Sequence, residues 1–116
     1  MATLFCMRQP PYQDRTAREG IDVLLTWAAF EMHPALIFLD AGVLQLLPKT
    51  DDPTAQKQIA KLLTALPIYG VDQVYIERQS LVAYNLQQQQ LSLPVILVDR
   101  QQLPQLMANY DSHLSF

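Results

Sequence analysis

This chain is poor in the residues on which most phosphate, redox and metal chemistry is built. Among 116 residues there are three glycines, one cysteine and two histidines. Three glycines, at positions 20, 42 and 70, leave no G-x-G-x-x-G, no P-loop lysine motif and no G-x-S-x-G. A glycine-rich phosphate cradle is therefore not expected. One cysteine excludes an internal disulfide. His33 and His113 belong to no ligand spacing such as H-x-x-x-H, and no cysteine or carboxylate cluster surrounds them, so neither metal nor cofactor is expected. Positive charge is also scarce. Three lysines and five arginines face eleven acidic residues, for a net charge of −3, which argues against a nucleic-acid footprint. No run of eighteen apolar residues occurs, so no transmembrane helix is expected. Residues 1–8 lack the basic region and cleavage site of a signal peptide. These features together predict a cytoplasmic protein with no direct contact with nucleic acid or membrane.

What remains is an apolar chain with regular alternation. Half of its residues are hydrophobic, enough for a core, and the length suits one domain, residues 1–116. Residues 2–8 form an apolar run that Pro10 and Pro11 close, because neither can supply a ladder donor. A helix is expected from Thr16, where Thr16 and Glu19 form a capping-box pattern. Ile21, Leu24, Leu25 and Ala28 then fall on one face. Gly20 inside this helix costs roughly 1 kcal/mol relative to alanine, and a close approach of helix to sheet is the expected compensation. Ala35–Leu39 is apolar at every position, as in a parallel strand buried on both faces. Asp40-Ala41-Gly42 makes the turn after it, and Val43–Leu47 reads as a short helical piece stopped by Pro48.

Thr50-Asp51-Asp52-Pro53 is a helix start, with Asp52 as cap and Pro53 at the first helical position. Its buried stripe is Ile59, Leu62, Leu63 and Leu66. Gln73–Glu77 is the third strand, Ser80–Leu86 a short helix, and Gln87–Gln90 a polar loop. Pro94 precedes a fourth strand, Val95–Val98. Residues 100–109 carry the last helix, with Pro104 near its start, and Ser112–Phe116 the final strand. The sum is an α/β fold, a single domain with a mostly parallel five-stranded sheet and helices on both faces. In such sheets a site lies beyond the carboxyl ends of the strands, here segments 9–15, 40–42, 77–80 and 99–101.

Few residues offer chemistry. Cys6 is the only thiol, and its place inside an apolar strand favours the inert, neutral form. Arg18 and Asp22, four apart on one helix face, suit an exposed ion pair. Ser80 has no histidine near it in sequence. The tyrosines at 12, 69, 75, 84 and 110 are not interleaved with basic residues, which argues for core rims over a stacking platform.

Four segments carry a resemblance. They are the early loop, Arg18-Glu19-Gly20-Ile21-Asp22, Gly42-Val43-Leu44-Gln45-Leu46-Leu47, and Ala108-Asn109-Tyr110-Asp111. In this order and spacing the chain resembles the TusC/DsrF family of sulfur-relay subunits, which have the DsrE-like fold. The resemblance implies a noncatalytic subunit working with TusB/DsrH-like and TusD/DsrE-like partners, commonly as a dimer of heterotrimers. TusA- and TusE-like carriers bring and remove persulfide sulfur, for 2-thiouridine at the tRNA wobble position. A DsrF-like role in intracellular sulfur oxidation is the alternative branch. The relay cysteine of such complexes lies on the TusD/DsrE subunit, at the end of its third strand. Here the matching stretch is Tyr75-Ile76-Glu77-Arg78-Gln79-Ser80, without cysteine. Two local departures exist: Asp40-Ala41-Gly42-Val43 in place of Asp-Gly-Val, and Pro10-Pro11-Tyr12 in place of a Pro-His-Gly loop. Glu77, Arg78 and Tyr84 are the expected partner-facing residues. Two readings stand beside this one: a sulfurtransferase that uses Cys6 itself, and a homo-oligomeric module that binds a small ligand at the strand ends.

Overall fold

A computed structural model describes residues 2–11, 15–30, 32–47, 55–91 and 93–116. Five strands form one sheet: β1 (Thr3–Met7), β2 (Ala35–Phe38), β3 (Val74–Glu77), β4 (Ile96–Val98) and β5 (Ser112–Ser115). Their spatial order is β4-β3-β2-β1-β5, and every pairing is parallel. The helices are α1 (Thr16–Ala29), α2 (Ala55–Thr64), α3 (Arg78–Ala83) and α4 (Leu103–Ala108). The 3-10 segments are Asp40–Leu46, Gln88–Gln90 and Arg100–Gln102.

The order of the strands explains the unequal layers. From β1 to β4 the chain steps in one direction across the sheet, so right-handed crossovers put the connecting helices on one face. The step from β4 back to β5 runs the other way and carries α4 over the opposite face. The first face is the larger core. Phe5, Met7, Leu36, Phe38, Val74 and Ile76 project onto it, against Ile21 and Leu24 of α1, Val43 and Leu46 of the 3-10 segment, and Ile59 and Leu63 of α2. The second face carries Leu4, Cys6, Ala35, Ile37 and Leu39 and is covered by Leu103, Leu106, Met107 and Tyr110.

Two glycines are fixed by contact. Gly20 lies where α1 meets the sheet: a Cβ there would stand 2.8 Å from the Phe116 side chain and 3.0 Å from Met7 Sδ. This is the close approach that the sequence implied. Gly42 is tighter, since a Cβ would fall 1.9 Å from the Met7 carbonyl oxygen.

Two expectations needed revision, the first cap and the start of the third helix. Helix α1 starts at Thr16, but its cap is Arg15, and no side-chain cap bond forms, so the capping box at Thr16 and Glu19 is absent. Thr16 is already the first helical residue, and the Arg15 carbonyl accepts the Glu19 N–H at 2.9 Å. The reciprocal bond appears instead at the end of β4, where the Gln102 side chain accepts the Asp99 N–H at 2.8 Å. The fourth strand is apolar without being buried on both faces: it is a sheet edge, and Ile96 is 46% exposed. The third helix begins two residues earlier than Ser80, directly after β3. The expected helix start at Thr50-Asp51-Asp52-Pro53 and the loop residue Tyr12 lie outside the described residues. Arg18 and Asp22 do pair, at 3.3 Å on the solvent side of α1.

Candidate functional site: an ionic knot at the carboxyl end of the sheet

Parallel strands deliver their carboxyl ends to one end of the sheet, and six charged residues meet there in three ion pairs. Glu77, the last residue of β3, is the centre. Only 3% of it is exposed. Its Oε1 accepts hydrogen bonds from Ser80 Oγ at 2.6 Å and Arg100 Nη2 at 3.0 Å. Its Oε2 accepts from Arg100 Nε at 3.2 Å. A guanidinium fork thus meets both carboxylate oxygens, the geometry arginine provides and lysine does not. Arg100 reaches Glu77 because it stands two residues beyond β4, which pairs Val98 with Glu77.

The knot extends to β2. Asp40 holds a left-handed backbone with φ of 51°, a conformation aspartate tolerates better than most residues. This directs its N–H to Ser80 Oγ at 2.8 Å. The Gln79 side chain accepts the Arg100 N–H at 2.9 Å. Two outer ion pairs flank the centre, Arg8 with Asp40 at 3.6 Å and Arg78 with Asp99 at 2.8 Å, all four side chains about half exposed. Burial works to raise the Glu77 carboxyl, but the hydrogen bonds from Arg100 and Ser80 and the charges of Arg100 and Arg8 outweigh it and hold it below the usual range. Glu77 is therefore an anion at neutral pH, with its acceptors occupied. It is a structural counter-ion and a poor base.

Of the residues singled out from sequence, Glu77 and Arg78 sit side by side at the start of α3 and Tyr84 caps its other end. Glu77 turns into the knot, while Arg78 and Tyr84 remain exposed. Cys6 is elsewhere, on the face covered by α4 and 1% exposed. Burial pushes its thiol up, against smaller opposing contributions from the Arg8 charge and a Ser115 hydrogen bond. That is the reverse of what a reactive thiol needs. Ser80 has a carboxylate beside it, and is itself buried. Asp40, Gln79 and Arg100 were not singled out one by one, although all three fall in the segments 40–42, 77–80 and 99–101 where a site was expected. A signal existed: all lie just past strand ends that parallel pairing brings to the same edge. Among the described residues, no group of three His, Cys, Asp or Glu side chains is placed to hold a metal ion. No helix among them is long and apolar enough to cross a membrane.

The architecture is a parallel five-stranded α/β sheet whose third strand ends in a closed ionic knot. The sequence model of the DsrE/DsrF-like family matches residues 1–116, and the chain belongs to that family. It is 37% identical over 109 residues to a protein named TusC homolog from Pseudomonas aeruginosa, covering 93% of this chain and 92% of the relative. It is 34% identical over 89 residues to the intracellular sulfur oxidation protein DsrF of Allochromatium vinosum, covering 76% and 65% respectively. The fold is similar to that of the crystal structure of the ychN protein from E. coli, with a TM-score of 0.75, 17% identity and full coverage of both chains.

Proposed function

We propose that this chain is a noncatalytic, TusC-like subunit of a sulfur-relay complex. In this role it assembles with DsrE/TusD-like and DsrH/TusB-like chains and helps position a persulfide carried by a partner. The observation that carries the reading is the end of β3. The residue there is a buried, ion-paired Glu77 in place of a thiol, and the only cysteine in the chain is enclosed beneath α4. In persulfide transfer an acceptor thiolate attacks the outer sulfur of the persulfide. A new S–S bond forms, the old one breaks, and the donor leaves as thiolate. None of these roles suits Glu77 or the protonated, inaccessible Cys6. What the chain supplies is geometry, because such a step gains from holding two sulfurs in register. Arg78 and Tyr84, exposed on α3 beside the knot, are the side chains we assign to the face near the partner's sulfur-bearing segment. The favoured end product is 2-thiouridine at the tRNA wobble position.

The test is co-expression with the DsrE-like and DsrH-like partners, loading with a persulfide donor, and intact mass of each chain. Added sulfur is expected on a partner and none on this chain, and a Cys6→Ser variant should sustain the same transfer. Sulfur found on Cys6 would overturn the assignment. The identity with DsrF supports a second reading, sulfur oxidation. Wobble-uridine thiolation in a deletion strain separates the two: loss of the thiolated base, restored by this chain, supports the first branch, and unchanged thiolation the second.

A further inference from the structure

The charges beyond β3 and β4 are balanced in number but not in depth. Glu77 and Asp99 stand against Arg78 and Arg100. The carboxylate side chains are 3% and 44% exposed, the guanidinium side chains 57% and 64%. Negative charge therefore lies deeper than positive, and the rim of the knot is cationic.

These four residues are one connected piece. Arg78 Nε meets Asp99 Oδ1 at 2.8 Å. The Arg100 N–H donates to the side chain of Gln79, the neighbour of Arg78, at 2.9 Å. Arg100 commits Nε and Nη2 to Glu77. Pairing of Glu77 with Val98 keeps the two strand ends side by side. A guanidinium carries five N–H donors, more than one carboxylate contact consumes, so Arg78 can hold Asp99 and still meet a second anion. With no glycine-rich cradle in the chain, such a rim suits a monoanion better than a phosphate.

We propose that Arg78, backed by Arg100, stabilises the thiolate left on a DsrE-like partner's cysteine when its persulfide sulfur departs. This role rests on the assembly reading above and gives the α3 face assigned there an electrostatic task. In the transfer, an acceptor thiolate attacks the outer sulfur of the partner's persulfide. The bond from acceptor to outer sulfur forms and the inner S–S bond breaks. The electron pair of the broken bond stays on the partner's cysteine, so one negative charge passes from acceptor to donor. A thiol of lower pKa leaves faster, and a neighbouring arginine lowers it. Arginine is charged at every working pH. An exposed charge counts for little in water, but a docked partner excludes water and strengthens the attraction.

The test uses the full chain co-expressed with its DsrE-like and DsrH-like partners and purified as the complex. Alkylation of the partner's cysteine by iodoacetamide is followed across pH, with the rate of sulfur transfer from the loaded complex to an added thiol. The charged groups on this chain's side are Arg8 after β1, Asp40 after β2, Glu77 and Arg78 at the end of β3, and Asp99 and Arg100 after β4. Arg78→Gln and Asp99→Asn break the same ion pair but change the local charge in opposite directions, and asparagine can still serve as the cap that Asp99 provides. Arg78→Gln should move the alkylation midpoint up by about half a pH unit and slow transfer about twofold. Asp99→Asn should move the midpoint down, and Arg78→Lys should stay near wild type. Midpoints that move the same way in Arg78→Gln and Asp99→Asn, or in neither, overturn the role of Arg78 while leaving the assembly reading intact. Loss of co-elution in Arg78→Gln overturns the thiolate in favour of a partner carboxylate. Wild type that fails to co-elute, or whose partner takes up no sulfur, overturns the assembly reading and the role of Arg78 with it.

Discussion

At position 42 a single methyl group decides whether the chain can close around its carboxyl end. The Cβ of an alanine would meet Met7 carbonyl oxygen and carbon, both backbone atoms of a central strand. Backbone in the middle of a parallel sheet cannot step aside without breaking its ladder, and Met7 oxygen also accepts the Leu39 N–H at 3.0 Å. Gly42→Ala should cost about 3 kcal/mol or more in urea unfolding, at the upper end of overpacking effects. Gly20→Ala is a contrasting case. The new methyl would press on the Phe116 side chain and Met7 sulfur. The methionine sulfur can rotate away, but Phe116 meets the methyl with its Cβ, which side-chain rotation does not move, and the Phe116 backbone is hydrogen-bonded to Cys6, Arg8 and Gln9. Alanine returns roughly 1 kcal/mol of helix propensity, so a net cost of about 1–2 kcal/mol, smaller than at position 42, is expected. A loss at position 20 as large as that at 42 would contradict this account.

At the scale of elements, the connection between α3 and the 3-10 segment Asp40–Leu46 runs through one hydroxyl. Ser80 Oγ accepts from Asp40 and donates to Glu77. Ser80→Ala removes one of the two hydrogen bonds to Glu77 Oε1 and takes the acceptor from the Asp40 N–H, and should cost about 1–3 kcal/mol by denaturant midpoint. Among the described residues, the second face of the sheet is covered by α4, six residues long, and by Tyr110 just after it. Cys6 lies under it, so labelling of Cys6 by a thiol reagent in native buffer should report the opening of α4. Leu106→Ala should accelerate labelling without an equal fall in global stability, and labelling as fast as a free thiol in wild type would contradict the burial. This level was the most legible in the sequence. Period and punctuation located all five strands and the order of helices, because apolar runs bounded by proline, glycine and aspartate have few other solutions. Strand Val95–Val98 shows the limit: apolar composition cannot tell a central strand from an edge one, since the edge is defined by strand order and not by local pattern. The cap at Thr16 was misread for a related reason, as two patterns one residue apart differ only in where the first turn closes.

For the molecule as a whole, the site was less legible than the fold. The stretch 75–80 was recognisable, and Glu77 and Arg78 with it. That Glu77 faces inward depended on Arg100, a residue 23 positions away, brought near by strand pairing. The fold joins these residues to a single stability profile with two limbs. Glu77 has its carboxyl held below the ordinary value of 4.5. Its stabilising contribution is therefore complete above that pH and is lost as pH falls through the lowered value. Tyr110 has the opposite sign. Burial, with a further contribution from Tyr75, raises its phenol from 10.0 to about 12. The folded state holds that proton more tightly than the unfolded chain, so stability is complete below pH 10 and falls as pH rises through about 12. Urea midpoints measured across pH should form a plateau with a fall at each end. Glu77→Gln, although less stable at neutrality, should flatten the acid limb only. Tyr110→Phe should flatten the alkaline limb only. A Glu77→Gln variant whose acid limb keeps the wild-type slope would mean that other carboxylates govern acid unfolding and that the knot is not the anchor of the carboxyl end.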